Sequence, residues 1–486
     1  MAYLLTIGLE IHIKLKSINK MFCQCKNEQN FDTLLPNTNI CPVCTAQPGA
    51  LPTLSKEVLD QALILGKALK CKINPISRFD RKSYFYPDLP MGFQITQLYQ
   101  PTNVEGQVKF FLENFTQEKL IHIHDAHMEN DTGKMIHDGG QALIDYNRAG
   151  TPLVEVVTNP DFSTPEEVTE FLKELQRIVR YNNIADADME KWQMRVDVNI
   201  SVRKNESDPL GTRAEIKNIN SFGAIRRAID AEYARQVALY EKWETFTQET
   251  RWRDDAKGSS YAMRSKEDAL DYRYFPEPDL PPLVIDDAKM KWLDEQVLEI
   301  PHEIIKTMKE EYGFNKEYIN ALIGDKKMLD YFLDALSSWA QSNDIGATAK
   351  MITKWLVGPI AAWMKENFKS INELPITNEQ FKDFLEIAQE GKVMESQMKI
   401  VMDEMLATGK NPDDVIKEKW FEAVEVNEAE IEWVIQSVFD ENPAIVEQYK
   451  WGKVTVLWFF VGQVMKKTWG KMNPKVVGEM IEKLLK

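Results

Sequence analysis

No stretch of the chain is apolar for the ~20 residues that a membrane-spanning helix needs, and the strongest late run, Val454 to Val461, reads as part of a core helix. The opening, Met1 to Leu15, has no basic leader and is interrupted by Glu10 and His12, so it reads as neither a signal peptide nor an anchor. Cysteine is scarce: of five, four lie between Cys23 and Cys44, a distribution that excludes a secreted disulfide framework and points to a reducing cytoplasm. Positive charge is also in deficit. The 59 Lys and Arg stand against 75 Asp and Glu, a net charge of −16, so no uniformly basic surface holds a nucleic acid and any polyanion must meet a local patch. Finally, no G-x-x-x-x-G-K-[ST] element occurs, so an ATP site would have to be built from a sheet.

What remains is an ordinary globular composition, 44% hydrophobic and 28% charged over 486 residues, enough for roughly three domains. Of the 22 prolines, 17 lie at or before Pro301, and the later segments are rich in Glu, Lys, Leu, Ile and Met at helical spacing. The first part is punctuated by Gly, Pro, Asn and Asp between short alternating runs. We therefore expect an α+β fold with a mixed, mainly antiparallel sheet over residues 1–294, an all-helical domain over 295–410, and a small helical tail over 411–486 beginning after the turn at Thr408 to Pro412. Pro165 to Tyr181 reads as a helix, with Ser163 or Thr164 as cap and Val168, Phe171, Leu172, Leu175, Ile178 and Val179 on one stripe. A second packing helix follows Ser55, and Cys71 is expected as a buried thiol in an apolar helix.

Period-two reading of the strands separates what packs from what is presented. Over Met194 to Arg203, Val196, Val198, Ile200 and Val202 form one face, while Arg195, Asp197, Asn199, Ser201 and Arg203 form the other. Leu9, Ile11, Ile13 and Leu15 alternate with Glu10, His12 and Lys14; Arg213, Glu215 and Lys217 share a third face; Leu143 to Thr158 presents Asp145, Asn147, Arg148 and Glu155. A half-exposed sheet alternates for solubility alone, but these faces combine carboxylates with Arg, Asn and His, types that ligate a cation and clamp phosphate. Glu129, Asp131 and Lys134 make an acid-acid-base turn that is either such a site or an ordinary surface turn. Cys23-x-Cys25 and Cys41-Pro-Val-Cys44, separated by 15 residues, suit a closed tetrahedral zinc site, with four thiols as the alternative; such a metal is structural, because no ligand position stays open. Aromatic and basic residues interleave from Arg78 to Tyr86 and again from Asp271 to Phe275, and Lys450 to Lys486 carries a net +6, pointing to a polyanion partner for the tail.

Taken together, these segments resemble the B subunit of the glutamine-dependent aspartyl/glutamyl-tRNA amidotransferase, the GatB family. The resemblance runs through Gly8 to His12, Cys41 to Pro52, Phe79 to Pro90, His127 to Lys134, Asn147 to Leu153, Arg195 to Arg203 and Gly211 to Asn218. It continues through Glu249 to Arg251, Met263 to Glu267, Asp271 to Pro276, Val461 to Lys466 and Asn473 to Lys475, and so covers essentially the whole chain. It implies a glutamine synthetase-like cradle domain, a helical domain and a YqeY-like tail that contacts tRNA. It also implies a reaction: ATP phosphorylates the side-chain carboxylate of Asp or Glu misacylated onto tRNA(Asn) or tRNA(Gln), and ammonia then forms the amide. By the same resemblance Glu10, His12 and Glu129 match the Mg²⁺ and ATP pocket as catalytic residues. Lys82, Lys134, Arg148, Arg195, Asp197, Asn199, Glu215 and Lys217 are candidates for phosphate or substrate contact, and Cys23, Cys25, Cys41 and Cys44 for structural Zn²⁺. One departure stands out: where several members carry paired Glu, this chain has Glu129-Asn130, and an amide cannot serve as a carboxylate base. No Gly-Ser-rich amidase signature is present, so ammonia is expected from an amidase A subunit, with a small C subunit completing a heterotrimer. Two other readings are an aminoacyl-tRNA synthetase, disfavoured because neither His-x-Gly-His nor Lys-Met-Ser-Lys-Ser occurs, and a catalytically silent tRNA-binding subunit.

Overall fold

The computed structural model describes residues 3–485 apart from 114, 255–258, 266–271, 297–299, 340–343, 392, 420, 422–427, 451–455 and 468–473. Lys266, Glu267, Asp271 and Asn473 of the motifs above, and Lys453, Lys471 and Lys486 of the basic stretch, therefore lie outside the described residues. The chain forms two compact units, Met1–Lys306 and Thr307–Lys486. Among the described residues no helix is long and apolar enough to cross a membrane.

The strands of the first unit are β1 (Leu4–Lys14), β2 (Lys72–Ile73), β3 (Ile76–Ser77), β4 (Asp80–Ser83), β5 (Phe93–Thr96), β6 (Asn103–Phe111), β7 (Glu118–Asn130) and β8 (Lys134–Asp138). They continue as β9 (Gln141–Asp145), β10 (Pro152–Thr158), β11 (Met194–Arg203), β12 (Ala214–Ile219), β13 (Glu249–Asp254), β14 (Ser259–Ser265), β15 (Phe275–Pro276) and β16 (Leu283–Val284). Nine of them form one sheet, in the order β14-β13-β12-β11-β1-β10-β7-β6-β2. Its pairs are antiparallel except β12 with β13, which run parallel. The two stretches of interleaved aromatic and basic residues meet, because Phe275 of the second pairs with Arg81 of the first.

The alternation in β1 decides which face is covered. Ile7, Leu9, Ile11 and Ile13 are essentially inaccessible, and at about 1.5–3 kcal/mol for each large apolar side chain buried this face is a major source of cohesion. It joins one core with Val196, Val198 and Ile200 of β11 and with three helices, α1 (Lys56–Ala68), α2 (Pro165–Tyr181) and α3 (Phe222–Glu241). Helix α2 starts where its sequence says it should: Thr164 Oγ1 accepts from the Glu167 amide at 3.1 Å, Pro165 occupies the first turn, and the Glu167 carboxylate accepts from the Ser163 amide at 2.7 Å. Cys71 is buried, as expected, but not in a helix: α1 ends at Ala68, Lys70 takes a positive φ, and Cys71 leads into β2. With the helices on one side, the polar rows of β1, β10, β11 and β12 face the other.

The second unit is helical throughout its described residues, and two groups of side chains organise it. Phe381 and Phe384 stack near Trp355, whose ring meets Phe384 edge-on at 4.8 Å. Nearer the C-terminus, Ile435, Val438, Phe460, Val464, Val477 and Ile481 make a separate small core. Val454 and Thr455 of the strongest late run lie outside the described residues; the rest of it leads into the helix Leu457–Lys467, where Phe460, Val461 and Val464 are the buried side. The turn at Thr408 to Pro412 is a helix-to-helix connection: Gly409 takes φ +72°, and Gln380 Nε2 donates to its carbonyl at 2.9 Å.

Candidate active site

Strand pairing places the polar residues side by side. His12 of β1 stands opposite Glu155 of β10 and Arg195 of β11, and Glu155 stands opposite His127 of β7. Two residues back, Glu10 faces Asp197, and one step further Asn199 faces Glu215. Residues far apart in the chain thus form continuous rows across the open face.

Two acidic groups result. In the first, His12 Nε2 lies 3.2 Å from Glu129 and 3.5 Å from Glu155, and the three offer ligand atoms within 4.8 Å of one another. Glu10, Asp197 and Glu215 form the second to the same measure. Glu10, His12 and Glu129, expected to share one magnesium site, are therefore divided: Glu10 belongs with Asp197 and Glu215, and Glu155 takes its place beside His12. The pairing of β1 with both neighbours is the reason, since Glu10 and His12 project two residues apart on one face and each meets a different cross-strand carboxylate.

The charges around these groups are mutually adjusted. Burial works against a protonated His12, but Glu155 and then Glu129 outweigh it and raise its pKa above the ordinary histidine value. Burial likewise opposes charge on His127, yet Asp125 at 2.6 Å and Glu155 at 3.3 Å hold its pKa well above the usual one. Glu155 is correspondingly depressed: burial opposes its ionisation, but His12 and His127 prevail. Lys82 stays charged despite burial because Glu129 faces it, and Lys217 because Asp197 lies at 2.5 Å and Glu215 at 3.1 Å. The carboxylates raise the pKa of each of these basic groups, so the field at their centre is negative, the property a divalent-metal site requires.

A cavity of about 350 Å³ opens here, lined by His12, Lys82, Tyr84, Gln94, Glu129, Asp131, Trp192, Arg195, Asp197, Lys217 and Trp252 among others. A second, of about 280 Å³, is lined by Glu10, Asn199 and Arg213. Asn199 Nδ2 donates to Glu10 at 3.0 Å, and Thr250 Oγ1 donates to Glu215 at 2.8 Å. Arg195 and Arg148 bracket Asp131 at 3.3 and 3.6 Å, and against the cost of burial Arg148 and then Arg195 lower its pKa. Arg148 also donates to the carbonyls of Thr132 and Gly133, so it ties the turn together. Lys134 is not brought in. It sits on the β8–β9 hairpin, pairs with Asp32 at 2.6 Å and is not among the residues lining either cavity.

Asn130 answers the question its identity raised. It is buried, its Oδ1 accepts from the Ile95 amide at 2.7 Å, and its carbonyl accepts from Gln94 Nε2 at 2.8 Å. It fixes β5 against the end of β7. Asn130→Ala should leave the Ile95 amide without that acceptor and cost about 1–3 kcal/mol, read as a lowered denaturant midpoint. An unchanged midpoint would show that the hydrogen bond is not structural.

The four expected cysteines do converge: their sulfurs all lie within 4.8 Å of one another. The Cys41 amide donates to Cys44 Sγ at 3.1 Å, and the buried Lys20 ammonium lies 3.8 Å from it. Hydrogen bonding from Cys23, then the Lys20 charge, pull the Cys44 thiol down to about 5, whereas burial and the Cys44 charge push Cys25 up to about 11. Four bonds of ~2.3 Å in a tetrahedron demand sulfurs about 3.8 Å apart, which falls inside the 4.8 Å that bounds these four, so the cluster fits zinc. Glu155, His127, Trp192 and Trp252 were not among the site residues expected from sequence; alternation marked Glu155 as presented, but only strand pairing reveals its neighbours.

An open sheet face with paired acidic groups, flanking cations and a tetrathiol knuckle defines the class, and the matching family description is the GatB/GatE catalytic domain over residues 5–291, followed by the GatB domain over 339–485. The B subunit of the aspartyl/glutamyl-tRNA(Asn/Gln) amidotransferase of Caldanaerobacter subterraneus subsp. tengcongensis is 39% identical over 486 residues, covering 100% of both chains. The corresponding B subunits from Crocosphaera subtropica and Thermotoga maritima are each 39% identical, over 99% and 100% of this chain and 97% and 99% of their own. The chain belongs to the family of amidotransferase B subunits.

Proposed function

We propose that this chain carries out the ATP-dependent amidation of Asp on tRNA(Asn), Glu on tRNA(Gln), or both, in the cytoplasm. A side-chain carboxylate has no leaving group. One of its oxygens attacks the γ-phosphorus of ATP and ADP departs; ammonia then attacks the acyl carbon, phosphate is expelled and one proton is lost. The observation that carries this reading is the cavity in which His12 and Glu129 of one acidic group and Asp197 of the other stand among Lys82, Arg195 and Lys217. The donor sets fit Mg²⁺ in that oxygen predominates: His12, Glu129 and Glu155 would hold one ion and Glu10, Asp197 and Glu215 another, and bound there they would offset the phosphate charge. Lys82, Arg195 and Lys217 bind phosphate oxygens; Asp131 positions Arg195; Asn199 orients Glu10.

Ammonia comes from a glutaminase partner, the amidase A subunit, with a small C subunit in the same heterotrimer, and the basic tail contacts the tRNA. The cysteine cluster holds structural Zn²⁺. The test is stoichiometry: the assembled complex, given mischarged tRNA and ammonium salt, should release one ADP per amide formed and none without the tRNA. Amide formation without nucleotide would overturn the ATP-dependent reaction, and unimpaired amide formation by a complex carrying Glu10→Gln or Glu129→Gln would favour the silent tRNA-binding reading.

A further inference from the structure

We propose that Lys20 is the counter-cation of the cysteine cluster: its ammonium offsets negative charge that four thiolates leave around a divalent ion, and so helps to retain the metal. Lysine is almost never fully buried unless it is paired, because an ammonium taken out of water is costly to leave without an anion. Lys20 is 0% exposed. Its Nζ donates to the Asn39 carbonyl at 2.9 Å and to Cys44 Sγ at 3.8 Å, and among the described residues no carboxylate pairs with it. The carbonyl satisfies a proton but carries no net charge. The sulfurs are therefore the groups that answer this buried cation.

The cluster has a matching need. Four thiolates around Zn²⁺ leave two negative charges beside the buried Cys44, and one ammonium there cancels one of them. The Cys41 amide, which reaches the same sulfur, is a dipole and leaves the net charge as it was. The backbone keeps Lys20 in place: its amide donates to the Cys25 carbonyl at 2.8 Å, so the residue is tied to the first cysteine pair while its ammonium reaches the second. Its stem also lies against the turn that carries Arg148, because a Cβ on Gly150 would stand 3.6 Å from Lys20 Cδ and 3.5 Å from Cys44 Cβ.

The inference rests on the reading of the four cysteines as a structural zinc site, and it makes Lys20 a positioning residue, not a ligand. In the full chain, zinc affinity is measured by competition with a chromophoric chelator, and the sulfur-to-metal charge-transfer band is recorded after Co²⁺ replaces zinc. Lys20→Met and Lys20→Gln should each weaken zinc binding about ten- to a hundred-fold, the usual cost of losing a group that supports a metal ligand. Glutamine keeps an N–H donor, so the second variant separates the charge from the hydrogen bond to Asn39. Both should also move the Co²⁺ band to longer wavelength, because thiolates without a neighbouring cation give up electrons more readily, and Lys20→Arg should restore most of the affinity. An affinity within about two-fold of the wild type in Lys20→Gln would overturn the role of Lys20. So would a weakened affinity with the band unmoved, or a failure of both neutral variants to fold at saturating zinc, since the side chain would then serve packing and not the metal. A wild-type chain that retains no zinc would overturn the zinc reading itself.

Discussion

Glu129→Gln should reduce amide formation by the assembled complex on the order of a thousand-fold, with aminoacyl-tRNA binding retained. Glu129 is 2% exposed, lies 3.2 Å from His12 and is the largest influence keeping Lys82 charged, so one oxygen serves the acidic group while the charge serves the phosphate-facing lysine. Glutamine keeps the shape and an acceptor oxygen for His12 but removes the charge, and effects of this size follow the loss of a single charge-stabilising partner in a dry site. Folding should survive, because neutralising one member of a crowded acidic group relieves repulsion among the rest. Glu10→Gln, in the other acidic group, should be as severe. If either variant makes product within about two-fold of the wild-type rate at matched subunit composition, the acidic face is not where the chemistry happens.

Cys44→Ala should release zinc and loosen the segment from Lys20 to Ala50. A structural zinc site contributes on the order of 10 kcal/mol to its own folding, far more than the packing of so polar a loop can replace. The consequence should reach the active site, because the knuckle is bonded to it: the Asn39 amide donates to Asn147 Oδ1 at 2.7 Å, Asn147 Nδ2 donates to the Leu35 carbonyl at 2.7 Å, and the Met21 amide donates to the Gly150 carbonyl at 2.9 Å. Arg148, next to Asn147, brackets Asp131. Hydrogen exchange should therefore rise over the knuckle and over Asp131 to Thr151 together, with about one equivalent of zinc lost per chain. Wild-type protein that retains no zinc after dialysis, or a variant with unchanged exchange in both segments, would falsify the structural-metal role.

Several features were legible from residue order because their physics is local. The cap and stripe of α2 depend on neighbours three and four residues apart, and the observed helix has the expected ends. The alternation of β1 and β11 separates a buried from a presented face within ten residues, and the sheet buries the apolar one. The two cysteine pairs converge as their spacing implied.

Other features were decided only when the chain closed on itself. Whether Glu10 shares a metal group with His12 depends on β1 lying between β10 and β11, partners roughly 150 to 190 residues away, and on a register in which a shift of one residue would turn the whole row to the other face. Lys134 reads as a phosphate ligand in its motif, but the β8–β9 hairpin carries it to Asp32. Asn130 reads as a lost carboxylate, yet the end of β7 turns it toward Ile95. Trp252 acquires its place beside Lys217 through a parallel pairing that no local pattern announces. Residue order therefore determined which side chains are presented, because that follows from backbone periodicity; the folded sheet determined which of them meet, because cross-strand neighbours are chosen by the packing of the whole layer.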